Sequence, residues 1–141
     1  MPRMTDDEWR SFLTSQARTA KLATVRQDGR PHVAPVWFDL DGDELIFMTG
    51  HDTVKGKAIR RDGRVCLCVD DERPPFAFVM IEGIATASED PAELRYWATR
   101  IAGRYMGAEA ADAYGARNAA PGELLVRVKP TRVVAYSAIA D

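Results

Sequence analysis

The stretch Thr49–Val69, TGHDTVKGKAIRRDGRVCLCV, decides how the rest of the chain is interpreted. A strand-like run ends at Gly50, a cationic segment follows, and a second strand-like run comes after it. Lys55 and Lys57 flank Gly56 where a short helix is predicted to begin. Two ammonium groups and the free N–H groups of a helix N-terminus together suit one phosphate. The stretch therefore predicts a site for an anionic group, although a solvated helix face would carry the same charges.

The residues of this short helix divide into two faces. Val54, Ala58 and Ile59 are spaced to face a core, whereas Lys57 and Arg60 would lie on the outer side. Arg60 could hold an anionic tail on a ligand. The helix is thus expected to pack on the sheet by one face and to present cations on the other.

Length and charge limit the possible functions. The chain has 141 residues, which predicts one domain over residues 1–141. Its formal net charge is −2 and its pI about 5.7, which argues against a nucleic-acid partner bound by phosphate neutralisation. No apolar run is long enough for a membrane span, and the first ten residues are too polar for a signal peptide. We expect a cytoplasmic protein with no membrane partner.

The cysteines and histidines do not suggest a metal site. Cys66 and Cys68 lie two apart in a strand-like run, so both thiols face the same side and are not placed to pair with each other. Only His32 and His51 could add further ligands. We expect buried free thiols and no bound metal.

Helix capping signals occur at two further places in the chain. Thr5 and Glu8 form a capping-box pattern at the start of a helix of about three turns. Asp90 and Pro91 are typical of a second start, with Glu93 as the reciprocal acid of the cap. Apolar residues at helical spacing then predict a long helix, with Leu94, Trp97, Ala98, Ile101 and Tyr105 on one face.

Six strands are expected from alternating apolar residues bounded by turn signals. Gly83 predicts a bulge or a close backbone approach, and Pro130 a kink or bulge in the last strand. Because the strands follow one another with short connections and few crossover helices, an antiparallel closed or nearly closed barrel is favoured. The predicted strands are Ala20–Arg26, His32–Leu40, Glu44–Thr49, Arg64–Asp70, Phe76–Ala87 and Glu123–Ala140.

Three motifs in register carry a family resemblance across Leu22–Ala87: LATVRQDGRPHVAPVWFDLDGDELIFMTG, KGKAIRRDGRVCLCVDD and the IEG of residues 81–83. Together they resemble the pyridoxamine 5′-phosphate oxidase-like split-barrel family, and within it the deazaflavin-dependent branch most closely. The resemblance implies a mainly β fold with flanking helices, built on a six-stranded antiparallel split β-barrel. It also implies a homodimer with a flavin or deazaflavin in a groove at the subunit interface.

The resemblance assigns cofactor-binding roles to particular positions. Lys55 matches the phosphate-binding lysine, and Lys57 lies where relatives place a further cation. Val54 stands where the oxidases that use flavin mononucleotide (FMN) typically carry an arginine, which weakens the oxidase interpretation. Met48 and Thr49 match the end of the strand near the ribityl chain and phosphate. The strand that lines the cofactor ring with its backbone matches Val33, Ala34, Pro35, Val36, Trp37 and Phe38.

The residue chemistry is compatible with such a ligand and leaves several roles open. Pro35 removes a ladder donor, which is tolerated at a sheet edge, where a flat ligand can reach backbone groups. Trp37 could stack on a ligand or could be a core or dimer-interface aromatic. His32 and His51 could contact a phosphate or donate a proton, or could be ordinary surface histidines.

No hydrolytic constellation is visible, and no side chain is assigned a catalytic role. The leading hypothesis is a reductase that passes a hydride from the reduced deazaflavin coenzyme F420 to an electron-poor small organic molecule. The enzymatic alternative is an FMN-dependent oxidase or reductase. Two non-enzymatic alternatives are a carrier or sensor for a flavin-type cofactor and a plain interaction module. Redox chemistry on a bound cofactor needs few reactive side chains, so the absence of a triad is compatible with the leading hypothesis.

Overall fold

The computed structural model describes all residues, 1–141, as seven strands, four α-helices and one short 3₁₀ turn. The strands are β1 (Ala20–Val25), β2 (Pro31–Val36), β3 (Asp39–Asp41), β4 (Glu44–Gly50), β5 (Arg64–Asp71), β6 (Ala77–Ser88) and β7 (Glu123–Tyr136). The helices are α1 (Asp6–Ser15), α2 (Val54–Arg61), α3 (Pro91–Met106) and α4 (Ala111–Asn118), with the 3₁₀ turn at Ala108–Ala110.

All seven strands form one antiparallel sheet in the order β2-β1-β5-β6-β7-β4-β3. The two edge strands, β2 and β3, are consecutive in the chain and are separated only by Trp37 and Phe38. Since two residues link opposite edges of the sheet, the sheet must curl until those edges come close together. The predicted antiparallel split barrel is therefore confirmed.

The predicted strand His32–Leu40 is two strands, which makes seven instead of the expected six. Its first part pairs with β1 and its second part with β4, so the chain crosses from one sheet edge to the other. The break is held by Tyr105, whose hydroxyl accepts a hydrogen bond from the Phe38 amide at 3.2 Å and donates to the Arg18 carbonyl at 2.6 Å. A sequence pattern of period two cannot reveal this change of partner.

Two apolar clusters stabilise the fold. The larger fills the barrel, and its largest fully buried side chains include Phe38, Phe47 and Leu13. The smaller lies where α3 packs on the outer side of the sheet and contains Ile46, Leu94, Trp97, Ile101 and Leu125. This second cluster fixes α3, and α3 in turn forms one wall of the groove described below.

The helix caps explain why α1 and α3 begin where they do. Thr5 and Glu8 form the predicted reciprocal pair, with bonds of 2.9 and 3.2 Å. The Asp90 carboxylate accepts a bond from the amide of Glu93 at 3.0 Å, as expected of a cap. The Glu93 side chain does not reach back to the cap, however, but lies 3.6 Å from Arg127. Its predicted role as reciprocal acid is therefore wrong.

The predicted irregularity in the last strand is confirmed. The β6–β7 register shifts between Glu82 and Gly83, where Gly83 pairs with Pro130 and Glu82 pairs with Arg132. A Cβ on Gly83 would lie 2.7 Å from the Lys129 carbonyl oxygen, so only glycine permits the strands to come this close.

Candidate functional site

A groove of about 540 Å³ opens between the edge of the barrel and the helical side of the molecule. Its volume is within the range of small-molecule and cofactor sites. The early part of the chain contributes lining residues from β2 and the link after it, from β4, and from α2 and the turn before it. The later part contributes residues from α3, α4 and β7. The lining residues are Pro35, Val36, Trp37, Met48, Thr49, Gly50, Thr53, Lys55, Ile101, Arg117, Asn118 and Glu123.

One part of the groove is apolar and is formed by closely packed side chains. The Trp37 ring stacks on Tyr105 with centroids 5.0 Å apart and planes 2° from parallel. Trp37 and Met48 also pack against the cluster that contains Ile101. An indole fixed in this way is a preformed wall for a flat ligand. Trp37 therefore both packs against other side chains of the protein and lines the groove.

The other part of the groove is cationic and polar, and the turn before α2 builds it. Thr53 caps α2: its hydroxyl accepts a bond from the Gly56 amide at 3.0 Å and donates to the Gly50 carbonyl at 2.8 Å. A Cβ on Gly56 would clash with the same carbonyl oxygen. Gly56 therefore lets α2 pack closely on β4, which brings half-buried Lys55 to the groove.

Lys55 and Lys57 do not converge on one point. Positions two apart are about 200° apart around an α-helix, and of the two only Lys55 lines the groove. Lys57 is exposed, and exposed Arg60 lies 3.4 Å from Glu89 in an ion pair. The expectation that both lysines face one anion is therefore corrected: the groove receives one lysine from this helix. Val54, expected to face the core, is instead 42% exposed, whereas Ala58 and Ile59 are buried as predicted.

The groove thus brings together some of the predicted cofactor-binding residues: Pro35, Val36, Trp37, Met48, Thr49 and Lys55. Other predicted residues lie outside its lining. Val33 is 66% exposed and Ala34 is half-buried, both on β2, while the Phe38 side chain is fully buried in the barrel. Because the Phe38 amide already donates to Tyr105, it is not available to a ligand.

Several lining residues were not predicted from the sequence; among them are Arg117 and Asn118 at the end of α4 and Glu123 at the start of β7. Arg117 and Asn118 belong to α4, an alanine-rich segment with a weak amphipathic pattern. Its position depends on a close approach: Gly115 packs so tightly on Thr99 of α3 that a Cβ there would clash. No local sequence signal encodes such a contact.

The charges around the groove include an acid. Burial raises the pKa of the half-buried Glu123 carboxyl, and the nearby Lys55 ammonium partly opposes that effect. Lys55 and Arg117 supply the positive charge of the lining and Glu123 the negative charge. The cations of the groove can therefore attract an anionic group, whereas the ionised Glu123 carboxylate repels it.

The cysteines and histidines do not line the groove. Cys66 and Cys68 are free, as predicted, but only half-buried; burial raises the pKa of both thiols. Nδ1 of His32 is buried without a hydrogen-bond partner, whereas His51 is exposed. The structure contains no group of three or more His, Cys, Asp or Glu side chains that could hold a metal ion. None of its helices combines the length and apolar character needed to cross a bilayer.

Comparison with known proteins agrees with this architecture. A conserved hypothetical protein of Mycobacterium tuberculosis is 26% identical, with a TM-score of 0.84 over 96% of this chain and 86% of that one. A protein described as an F420 reductase is 27% identical, with a TM-score of 0.70 over 87% of this chain and 94% of that one. An FAD-binding protein of Mesorhizobium loti is 18% identical, with a TM-score of 0.68 over 95% of this chain and 93% of that one, and shares the fold. No curated protein matches the sequence.

The family comparison covers almost the whole chain. The sequence profile described as pyridoxamine 5′-phosphate oxidase matches residues 5–137, which include every strand and all the residues that line the groove. The chain belongs to the pyridoxamine 5′-phosphate oxidase family, a family of flavin-binding oxidoreductases.

Proposed function

We propose that this protein is a reductase that binds reduced coenzyme F420 in the groove and directs its hydride to an electron-poor small organic substrate. The observation that carries the proposal is the placement of Lys55 at the polar end of a groove whose other end is walled by the fixed Trp37 ring. A phosphate-bearing planar ring has the same division into a charged and a flat part.

The lining residues suit such a ligand by their chemistry. The Lys55 ammonium can form charge-assisted hydrogen bonds with a phosphate. It stands in the first turn of α2, where N–H groups have no carbonyl partner within the helix. Pro35 lies on edge strand β2, as its missing N–H predicts, so backbone groups of this edge can face a ring.

When bound, a reduced deazaflavin would supply the hydride, and the chain would supply position. Trp37 would restrict the ring to one face of the groove, because its own ring cannot rotate away from Tyr105 without losing the stack. Met48 and Ile101 would exclude water from that end. Holding two reactants in a fixed geometry is itself a large part of catalysis.

Two observations favour the deazaflavin over FMN. The similar protein described as an F420 reductase has 27% identity over 87% of this chain. In addition, Val54 leaves the first position of α2 without the arginine expected of FMN oxidases, and no other cation of α2 except Lys55 lines the groove. FMN remains the second candidate because the family binds flavins.

The outer side of the sheet suggests how two copies would associate. On this side Ala23 stands between Val33 and Cys66, and Cys68 pairs with Met80, which neighbours Val134. We define these six residues as the outer face. Val33 is 66% exposed and lies on β2, next to Pro35 of the groove. We propose that the outer face is the homodimer interface, so that the groove lies beside it.

The cofactor assignment is tested by titrating the purified protein separately with F420 and with FMN. Tighter binding of F420 is expected, together with oxidation of the reduced coenzyme when an electron-poor acceptor is added. Tighter binding of FMN would reverse the order of the two candidates. Binding of either cofactor without turnover of any acceptor would instead support a carrier.

A further inference from the structure

Glu123 is an acid at the cationic part of the groove. It begins β7, where its backbone pairs with Gly50, the residue to which the Thr53 cap is bonded. Its half-buried side chain lines the groove together with Lys55. A phosphate on Lys55 would thus bring a second anion close to a carboxylate that is already partly removed from water.

The other charges that face Glu123 come from three elements. His51 and Asp52 lie in the turn before α2, Lys55 lies in α2, and Arg117 of α4 lines the same groove. Burial is the largest influence and raises the pKa of Glu123; Asp52 raises it further, whereas Lys55 and His51 lower it. Among these neighbours, Lys55 is the largest influence that favours the ionised carboxylate.

We propose that Glu123 is the internal counter-ion of Lys55, and that an anionic ligand group replaces it there while Glu123 takes up one proton from solvent. The proposal deepens the proposed function, because the anionic group would be the phosphate of the cofactor. Its physical basis is that two neighbouring anions cannot both be stabilised by one ammonium in a partly buried site. The carboxylate becomes neutral and the phosphate keeps its charge.

A pH dependence with a definite sign follows. An anion on Lys55 raises the pKa of Glu123, so the complex holds more protons than the free protein. Affinity must then increase as the pH falls through the titration range of the carboxyl. Replacing Glu123 by glutamine should remove this dependence and strengthen binding at high pH.

The first test needs no ligand. The Glu123 carboxyl is titrated by ¹³C NMR in the wild type and in Lys55→Met. Since the ammonium stabilises the carboxylate, its removal should raise the carboxyl pKa. An unchanged titration curve would overturn the counter-ion role, whatever the protein binds.

The second test measures proton uptake on binding. Inorganic pyrophosphate and F420 are each titrated calorimetrically between pH 5 and 8, in buffers with different ionisation enthalpies. In the wild type we expect, beyond the protonation of the ligand itself, uptake approaching one proton near the middle of the range and an affinity that falls on the order of a hundredfold across it. Glu123→Gln should show only the pH dependence that comes from the ionisation of the ligand itself, and it should bind both ligands more tightly than wild type at pH 8. Glu72→Gln, an exposed residue between β5 and β6, should behave as wild type.

The outcomes separate this inference from the cofactor assignment. If pyrophosphate shows the expected proton uptake and F420 does not bind, the cofactor assignment fails and the proton exchange stands. If F420 binds but Glu123→Gln retains the pH dependence of the wild type, the exchange is wrong and the cofactor assignment stands. If neither anion binds at any pH, both are wrong.

Discussion

Trp37 stacks on Tyr105 with its ring plane 2° from parallel, and this pair connects the barrel to the groove. The Tyr105 hydroxyl also holds the break between β2 and β3 through Phe38 and Arg18. One side chain of α3 therefore fixes both the chain crossing that closes the barrel and the wall on which we propose that a ring lies.

Replacing Tyr105 separates these two roles. Tyr105→Phe keeps the stack but leaves the buried Phe38 amide without a partner, which should cost about 1–3 kcal/mol of unfolding free energy. Tyr105→Ala should lose both this hydrogen bond and the packing of the ring, which should lower the unfolding free energy by about 3–5 kcal/mol in total. Urea denaturation measures both. In addition, Tyr105→Ala should weaken cofactor binding more than Tyr105→Phe; equal effects would exclude a role for the stack in binding.

Two glycine substitutions should change stability in opposite directions. Gly56→Ala places a Cβ against the Gly50 carbonyl, so α2 must move from β4, with a loss of about 1–3 kcal/mol. Gly103→Ala lies inside α3, where a Cβ would be 3.6 Å from the Cβ of Ala111, an ordinary contact. This control should stabilise the protein by about 0.5–1 kcal/mol. Melting temperatures of the two variants would measure both changes in stability. A Gly56→Ala variant as stable as the wild type would contradict the close approach of α2 to β4.

The proposed dimer interface can be tested at the most exposed residue of the outer face. Val33→Lys puts an ammonium on an apolar strand that would pack on a second copy, so we expect monomers in light scattering with unchanged far-UV circular dichroism. Tyr96→Lys is the matched control, because Tyr96 is 51% exposed on α3. A dimer that survives Val33→Lys would place the interface elsewhere.

Much of the fold could be predicted because local patterns encode it. Capping at Thr5 and Asp90, alternation in the strands and the irregularity at Pro130 are all effects of near neighbours in the chain. The split of β2 from β3 could not be predicted, because it depends on Tyr105, which is 67 residues after Phe38.

The groove could be predicted only where its residues belong to one continuous motif. Lys55 and Trp37 lie within such motifs, whereas Arg117 and Glu123 reach the groove through the packing of α4 and the pairing of β7 with β4. The error at Lys57 has a simpler source. Two lysines that are two positions apart look equivalent in a sequence, but on an α-helix their side chains lie on nearly opposite sides.

The binding of F420 to Lys55→Ala and Lys57→Ala, compared with wild type, tests the central claim most directly. Both variants remove one positive charge from α2, but only Lys55 lines the groove. Lys55→Ala should weaken binding by about 1.5–3 kcal/mol, roughly 10- to 150-fold, if its bond to the phosphate is charge-assisted. Lys57→Ala should change the dissociation constant less than about twofold, as expected for an exposed charge. Equal dissociation constants for wild type and Lys55→Ala, or equal losses in the two variants, would contradict a phosphate site at Lys55.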